Sequence, residues 1–206
     1  SRRMTPLWTS AAIADATGGT ASHDFVCGGV AFDSREIVSG DLFLALKGEE
    51  SDGHSFLEKA FANGAAGAVV NIPIDQPHVL VTDTTQALNG LAKAARARSQ
   101  AKSIGVTGSA GKTGTKEALF AALDRCSRGH AHRSVKSYNN HVGVPLSLAR
   151  MPANAQYAVL EMGMNHAGEI ALLPGDVAQF ENGARAGGAA IGLKVTTGLR
   201  LQQHVE

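Results

Sequence analysis

The 206-residue chain has few cysteines, few aromatics and no long hydrophobic run, with two Cys, six Pro and an aromatic fraction of 5%. Cys27 and Cys126 fall in what read as different structural units, so a disulfide framework is not expected. No stretch of about 18 apolar residues occurs, which argues against membrane insertion as a helix. The start, Ser1-Arg2-Arg3-Met4, lacks the apolar core of a signal peptide, and Met4 reads as the natural start, so a cytoplasmic protein is expected. Net charge is nearly absent at +1, but residues 1–100 carry 8 Lys/Arg against 11 Asp/Glu and residues 101–206 carry 11 against 7. The second half is the better anion binder. The excess is too small, and too poor in interleaved aromatics, to predict a nucleic-acid partner. The basic, His-rich run Arg125 to Lys136 is read as a solvated face.

What the chain does have is 24 glycines and a hydrophobic fraction of 44% against 18% charged, the balance of a globular protein with many tight turns. A short helix is predicted near Ser10 to Ala16, strands at Gly29 to Phe32 and Leu42 to Leu46, and a turn at Ser39-Gly40-Asp41 between them. Ser55 and Glu58 have capping-box spacing for a helix that ends at Asn63-Gly64. Strands at Val69-Val70 and Val79 to Val81 follow, then a helix from about Gln86 to Arg98. The alternation defines an α/β unit over residues 1–82.

A second unit, 83–171, is organised around Ser103-Ile104-Gly105-Val106-Thr107, a β-branched strand that leads into a glycine loop and then a helix around Lys116 to Leu123. Strand, glycine loop and helix form the context of a phosphate site: loop amides surround phosphate oxygens and the helix offers its positive end. In Thr107-Gly108-Ser109-Ala110-Gly111-Lys112-Thr113, the glycines Gly108 and Gly111 allow close approach, Lys112 supplies a point charge, and Thr113 offers a hydroxyl to Mg2+. The general phosphate-loop pattern wants glycine where Val106 stands, so the match is a near miss. A further strand, Tyr157 to Leu160, places Glu161 at its carboxyl end, the edge where open α/β sheets bind ligands. A carboxylate there needs a partner, because burying it alone is costly.

The near miss is informative. Gly105-Val106-Thr107-Gly108-Ser109-Ala110-Gly111-Lys112-Thr113 resembles the ATP loop of the Mur ligase family. Asn139-Asn140-His141-Val142-Gly143-Val144-Pro145 resembles the family's Asn-Asn-x-x-Gly-x-Pro segment, Glu161 to His166 its magnesium-binding strand end, and Asp33-Ser34-Arg35 with Asp52-Gly53-His54 its nucleotide-sugar domain. The resemblance covers about residues 4–171. It implies a small amino-terminal α/β nucleotide-sugar-binding domain followed by a truncated phosphate-loop parallel-sheet ATPase domain, with ATP and Mg2+ as cofactors. Lys112 and Glu161 would be catalytic. Thr107, Gly108, Ser109, Ala110, Gly111, Lys112, Thr113, Asn139 and Asn140 would bind the nucleotide, Thr113 and Glu161 the metal, and Ser34 and Arg35 the substrate. His166 is a weaker candidate for metal or substrate. The plainer reading of Asp33 and Arg35 is that they fasten a turn.

Within the family, Thr113-Gly114-Thr115-Lys116-Glu117 and Met162 to His166 are most similar to the branch that joins D-alanyl-D-alanine to UDP-N-acetylmuramoyl-tripeptide; the tripeptide-forming branch is the competitor. Beyond Ile170 the similarity fades into a glycine-rich segment, 172–206, read as a divergent tail. The family's downstream histidine segment and carbamylated lysine are not found, so a catalytically incomplete ATP-binding fragment is the alternative. A sheet cut soon after the phosphate loop would expose an edge and favour self-association.

Overall fold

The computed structural model describes residues 5–108, 111–135, 142–162 and 177–182, with 107–108 and 177–182 described as backbone only. Two compact units emerge: Ser1–Ala95 with Leu148–Met151, and Arg96–Ser147 with Pro152–Glu206. The first unit therefore extends past residue 82 to take in most of the helix that follows, and it recruits a short stretch from far along the chain.

In the first unit, β1 (Trp8–Thr9) leads into α1 (Ser10–Thr17), whose first turn is closed by the Thr9 hydroxyl accepting the Ala12 N–H at 3.1 Å. β1 pairs antiparallel with β3 (Val26–Cys27). A five-stranded sheet has the order β2-β7-β6-β5-β4, from β2 (Thr20–Ala21), β4 (Gly29–Ala31), β5 (Asp41–Leu44), β6 (Gly67–Val70) and β7 (His78–Leu80). β4 to β7 run parallel and β2 joins β7 antiparallel. The apolar residues of the parallel strands from Val30 and Ala31 through Leu42 to Leu44, Ala68 to Val70 and Val79 are buried, and Phe43, Ala45, Ala68 and Val70 form one core cluster with Ala60 of α2 (Leu57–Ala62). Trp8 is buried, and its indole N–H is satisfied by the Ala149 carbonyl at 2.8 Å. Arg150 Nε likewise donates to the Val30 carbonyl at 2.7 Å, which ties Leu148–Met151 to this unit.

Two predicted boundaries move. The Ser55/Glu58 capping box does not form: Asp52 instead caps a 3-10 turn over Gly53–Phe56, and α2 starts from Phe56 with no side-chain cap. Asp52 captures the His54 N–H first, so winding begins upstream and Ser55 lies inside the turn. The helix predicted from Gln86 is α3 (Thr84–Arg98), which starts earlier because Asp83 Oδ1 accepts from the N–H groups of Thr85 at 2.8 Å and Gln86 at 3.1 Å.

The second unit holds a four-stranded, fully parallel sheet of order β11-β8-β10-β9, from β8 (Lys102–Gly108), β9 (Ala131–Arg133), β10 (Tyr157–Glu161) and β11 (Val177–Asn182). β8 is thus an inner strand. Gly105 packs against Met162: a Cβ there would lie 2.6 Å from the Met162 sulfur, so the position takes glycine for close approach. α4 (Lys112–Cys126) follows the loop, and α5 (Gly143–Ala149) precedes β10. β11 lies inside the segment read from sequence as a divergent tail. The run Arg125 to Lys136 is not simply a solvated face either, because its centre is β9, where His132 Nε2 bonds the Ser147 carbonyl at 2.7 Å and the Arg133 guanidinium lies 4.2 Å from the centre of the Phe120 ring. Among the described residues no helix is long and apolar enough to cross a membrane.

Asp83→Ala should remove the cap of α3 and lower stability by about 1 kcal/mol, within the range of about 0.5–2 kcal/mol usual for such caps. Urea denaturation followed by circular dichroism measures this, and an unchanged midpoint would show that the cap contributes nothing.

Candidate active site

The carboxyl ends of β8 and β10 lie side by side, with Glu161 in register with Val106, so the loop leaving β8 and the carboxylate ending β10 share one sheet edge. Gly111 holds φ +74°, the left-handed region that glycine adopts without strain, and serves as the N-cap of α4. The helix therefore begins at Lys112, and its unpaired first-turn N–H groups face the loop side. Lys112 is half-buried and makes no ion pair with any described residue. Thr113 is exposed; its hydroxyl donates to Glu161 Oε2 across a long 3.4 Å.

Glu161 is held from two sides. Its N–H donates to the hydroxyl of buried Ser134 at 2.9 Å, and its side chain, 6% exposed, has Oε2 3.5 Å from Lys116 Nζ. Lys116 is 1% exposed and is the sole fully buried residue of α4. Its ammonium also lies 3.7 Å from Glu117 Oε1, and Glu117 is paired in turn with Arg133. The partner demanded by a carboxylate at this strand end is thus supplied from within the protein by Lys116, which the sequence marks as a helix position within the Thr113-Gly114-Thr115-Lys116-Glu117 segment and not as a site residue. One signal was available: Lys116 stands one helical turn beyond Lys112, on the same face.

Mg2+ takes oxygen ligands and is commonly bound through one or two carboxylates together with substrate phosphates. Among the described residues no group of three or more His, Cys, Asp or Glu could hold a metal ion. The Glu161 carboxylate and Thr113 hydroxyl, both oxygen donors where β10 ends and α4 begins, fit the smaller requirement. The side chains of Thr107 and Gly108, and all of Ser109, Ala110, Asn139, Asn140 and His166, lie outside the described residues.

In the first unit, the carboxyl end of β4 leads to Asp33, which caps a 3-10 turn over Ser34–Glu36 by accepting the Arg35 N–H at 2.9 Å. The Arg35 guanidinium grips the same carboxylate through Nε at 3.0 Å and Nη2 at 2.7 Å, an arrangement that raises its pKa. Asp33 and Arg35 thus fasten the turn, while the guanidinium remains 76% exposed. Ser34 is buried, and its carbonyl accepts from Asn63 Nδ2 at 2.8 Å. His54 is likewise committed internally: Nδ1 bonds Asp52 Oδ1 at 2.6 Å, and Nε2 accepts the Asn71 N–H at 3.1 Å. With Nε2 accepting, the ring proton sits on Nδ1 and points at Asp52.

Two family models match the chain: "Mur ligase family, catalytic domain" over residues 27–98 and "Mur ligase middle domain" over 106–185. The chain belongs to the Mur ligase family. Among its relatives, the UDP-N-acetylmuramoyl-tripeptide–D-alanyl-D-alanine ligase of Bacillus subtilis is 40% identical over 91% of this chain and 46% of its own length, and the Escherichia coli ligase of the same name is 41% identical over 75% and 34%. A solved D-alanyl-D-alanyl ligase from Acinetobacter baumannii is similar at TM-score 0.69 and 36% identity, covering 88% of this chain and 43% of that one. A MurF ligase from Thermotoga maritima, solved in complex with ADP, is similar at TM-score 0.57 and 32% identity, covering 75% and 38%. The chain spans less than half the length of these relatives. The middle-domain match continues beyond residue 171 and takes in β11.

Asp52 is held below the ordinary carboxylate range, first by the His54 N–H and then by its ring. A lowered carboxylate pKa stabilises the fold above the unfolded value and ceases to do so as pH falls through the folded one. Asp52→Asn should therefore be less stable than the parent at neutral pH, with the difference shrinking below roughly pH 4. Thermal melts across that window test this; a constant difference would mean the carboxylate charge is irrelevant there.

Proposed function

We propose that this chain carries the nucleotide-binding and UDP-substrate-binding part of a ligase that uses ATP to join D-alanyl-D-alanine to UDP-N-acetylmuramoyl-tripeptide. The observation that carries the reading is the sheet edge where Gly111 and Lys112 open α4 beside Glu161 and Thr113. The names of the relatives point to the same substrates, and the Thermotoga maritima structure, solved in complex with ADP, supports a nucleotide ligand.

In this reaction the γ-phosphoryl group of ATP moves to the terminal carboxylate of the tripeptide, giving an acyl phosphate and ADP. The amine of D-alanyl-D-alanine then displaces phosphate to form the amide. Such transfer depends on positioning and charge stabilisation rather than on a protein nucleophile. The amides of the loop and the first turn of α4 cradle the phosphates, and Lys112 brings a positive charge to the terminal ones. Thr113 and Glu161 would hold Mg2+, which supplies charge neutralisation on the phosphate oxygens when bound. Ser34 and Arg35, at the carboxyl edge of the first unit's sheet, are assigned to the UDP-linked substrate; Arg35 keeps an exposed face for an anion while paired to Asp33. Because the chain spans less than half of its relatives, a narrower reading is kept beside this one, in which the segment binds ATP and the UDP-linked peptide without completing the amide bond.

Calorimetric titration should show binding of Mg-ATP and, separately, of the UDP-muramoyl tripeptide. Lys112→Ala should weaken the first about 10- to 100-fold, the equivalent of one charge-assisted hydrogen bond, and leave the second unchanged. Nucleotide binding that is indifferent to this substitution would remove the loop from the site. Phosphate release with both substrates and D-alanyl-D-alanine then separates ligation from binding alone.

A further inference from the structure

A lysine is almost never fully buried unless it is paired. Lys116 is 1% exposed and lies in α4 one turn beyond Lys112, so its ammonium is not presented to a ligand in solvent. Its ammonium stands between two carboxylates, Glu161 at 3.5 Å and Glu117 at 3.7 Å. Glu117 is engaged on its other side by Arg133, whose guanidinium also stacks on Phe120. The series Arg133, Glu117, Lys116, Glu161 alternates in sign and joins β9, α4 and β10. At its end stands the Thr113 hydroxyl.

Stability alone does not account for this arrangement, since a buried ion pair can often be replaced by apolar side chains of similar volume at little or no cost. What apolar residues could not do is aim a carboxylate. We infer that Lys116 is a positioning residue: by pairing with Glu161 Oε2 while Ser134 fixes the Glu161 N–H, it points the carboxylate at the place beside Thr113 where the metal of a metal–nucleotide complex is received. Glu117, held by Arg133, keeps the ammonium from settling on Glu161 alone, so that the carboxylate retains an oxygen for the metal. The inference rests on the nucleotide-site reading above. It adds to that site a residue that neither nucleotide nor metal touches.

The test is the ratio of ADP affinity with Mn2+ to ADP affinity in EDTA, measured by calorimetry, with Mn2+ binding followed independently by electron paramagnetic resonance. In the parent chain Mn2+ should tighten ADP binding. Lys116→Met should reduce that enhancement about 10- to 100-fold, as loss of a group that orients a metal ligand commonly does. Adding Lys116→Met to Glu161→Gln should change the ratio no further, because the lysine acts through the carboxylate. Circular dichroism checks folding. Should Lys116→Met not fold, Lys116→Gln serves in its place; it keeps a hydrogen-bond donor but not the charge, and a smaller loss is expected. A folded variant with a lower melting temperature and an unchanged ratio would overturn the inference and leave Lys116 a structural residue. If Mn2+ gives the parent chain no enhancement, the inference falls, while the nucleotide reading is judged separately by Lys112→Ala in EDTA.

Discussion

An ammonium group taken out of water must find anions, and in the second unit this requirement organises the described residues around Glu161. α4 places only Lys116 in full burial, and its apolar side chains Leu119, Phe120 and Leu123 remain partly exposed. The helix is therefore seated through a charge as much as through a greasy stripe. The anions come from its own next residue, Glu117, and from the end of β10. Because β9 contributes Arg133 and the next residue, Ser134, holds the Glu161 N–H, helix and both strands are fixed together by a chain of opposite charges and one hydrogen bond. That set also solves the problem posed by Glu161, a carboxylate that follows four apolar residues into the end of a buried strand.

The first unit works differently at its two acidic turns, where the carboxylates are satisfied by residues close in sequence. Asp33 caps the turn that holds Arg35, and Asp52 caps the turn that holds His54; each acid then binds the side chain of the residue two positions on. Both motifs sit at carboxyl ends of parallel strands, where backbone pairing stops and side chains must finish it. Local closure of this kind rigidifies the loops that border the sheet edge. It also means that the presence of Arg or His at such an edge does not by itself mark a ligand.

How much of this the sequence could reveal follows from the range of the interactions. β8, β10 and α3 were legible because apolar runs and β-branched residues are properties of adjacent residues. The position of Glu161 at a strand end was legible for the same reason. β9 was hidden because three residues of a basic, His-rich run carry no apolar alternation, and they become a strand only through pairing with β10. β11 was hidden in a glycine-rich stretch, where the partner strand β8 supplies the order that local propensity does not. The capping box failed because an equally local competitor, Asp52, stood just upstream. Lys116 stands in a family-like motif, yet no local pattern marks it as part of the site, because its partner Glu161 is brought to it by the fold. No spacing rule connects the two.

The choice of base at each position is itself informative. Lys116 lies where two carboxylates from different elements converge at similar distances, and a compact ammonium with rotatable donors can serve both. A planar guanidinium fork favours one carboxylate in bidentate geometry and needs more room. Arg133 occupies the complementary position, partly exposed at the flank of the helix, where its flat face rests on Phe120 and its edge reaches Glu117. Exchanging the two residues would place a fork where a point charge is needed and a point charge where a stacking surface is offered. The formal charge of the series would be conserved, but the direction of the Glu161 carboxylate would not, and at the proposed metal–nucleotide site it is direction, more than charge, that the surrounding protein has to supply.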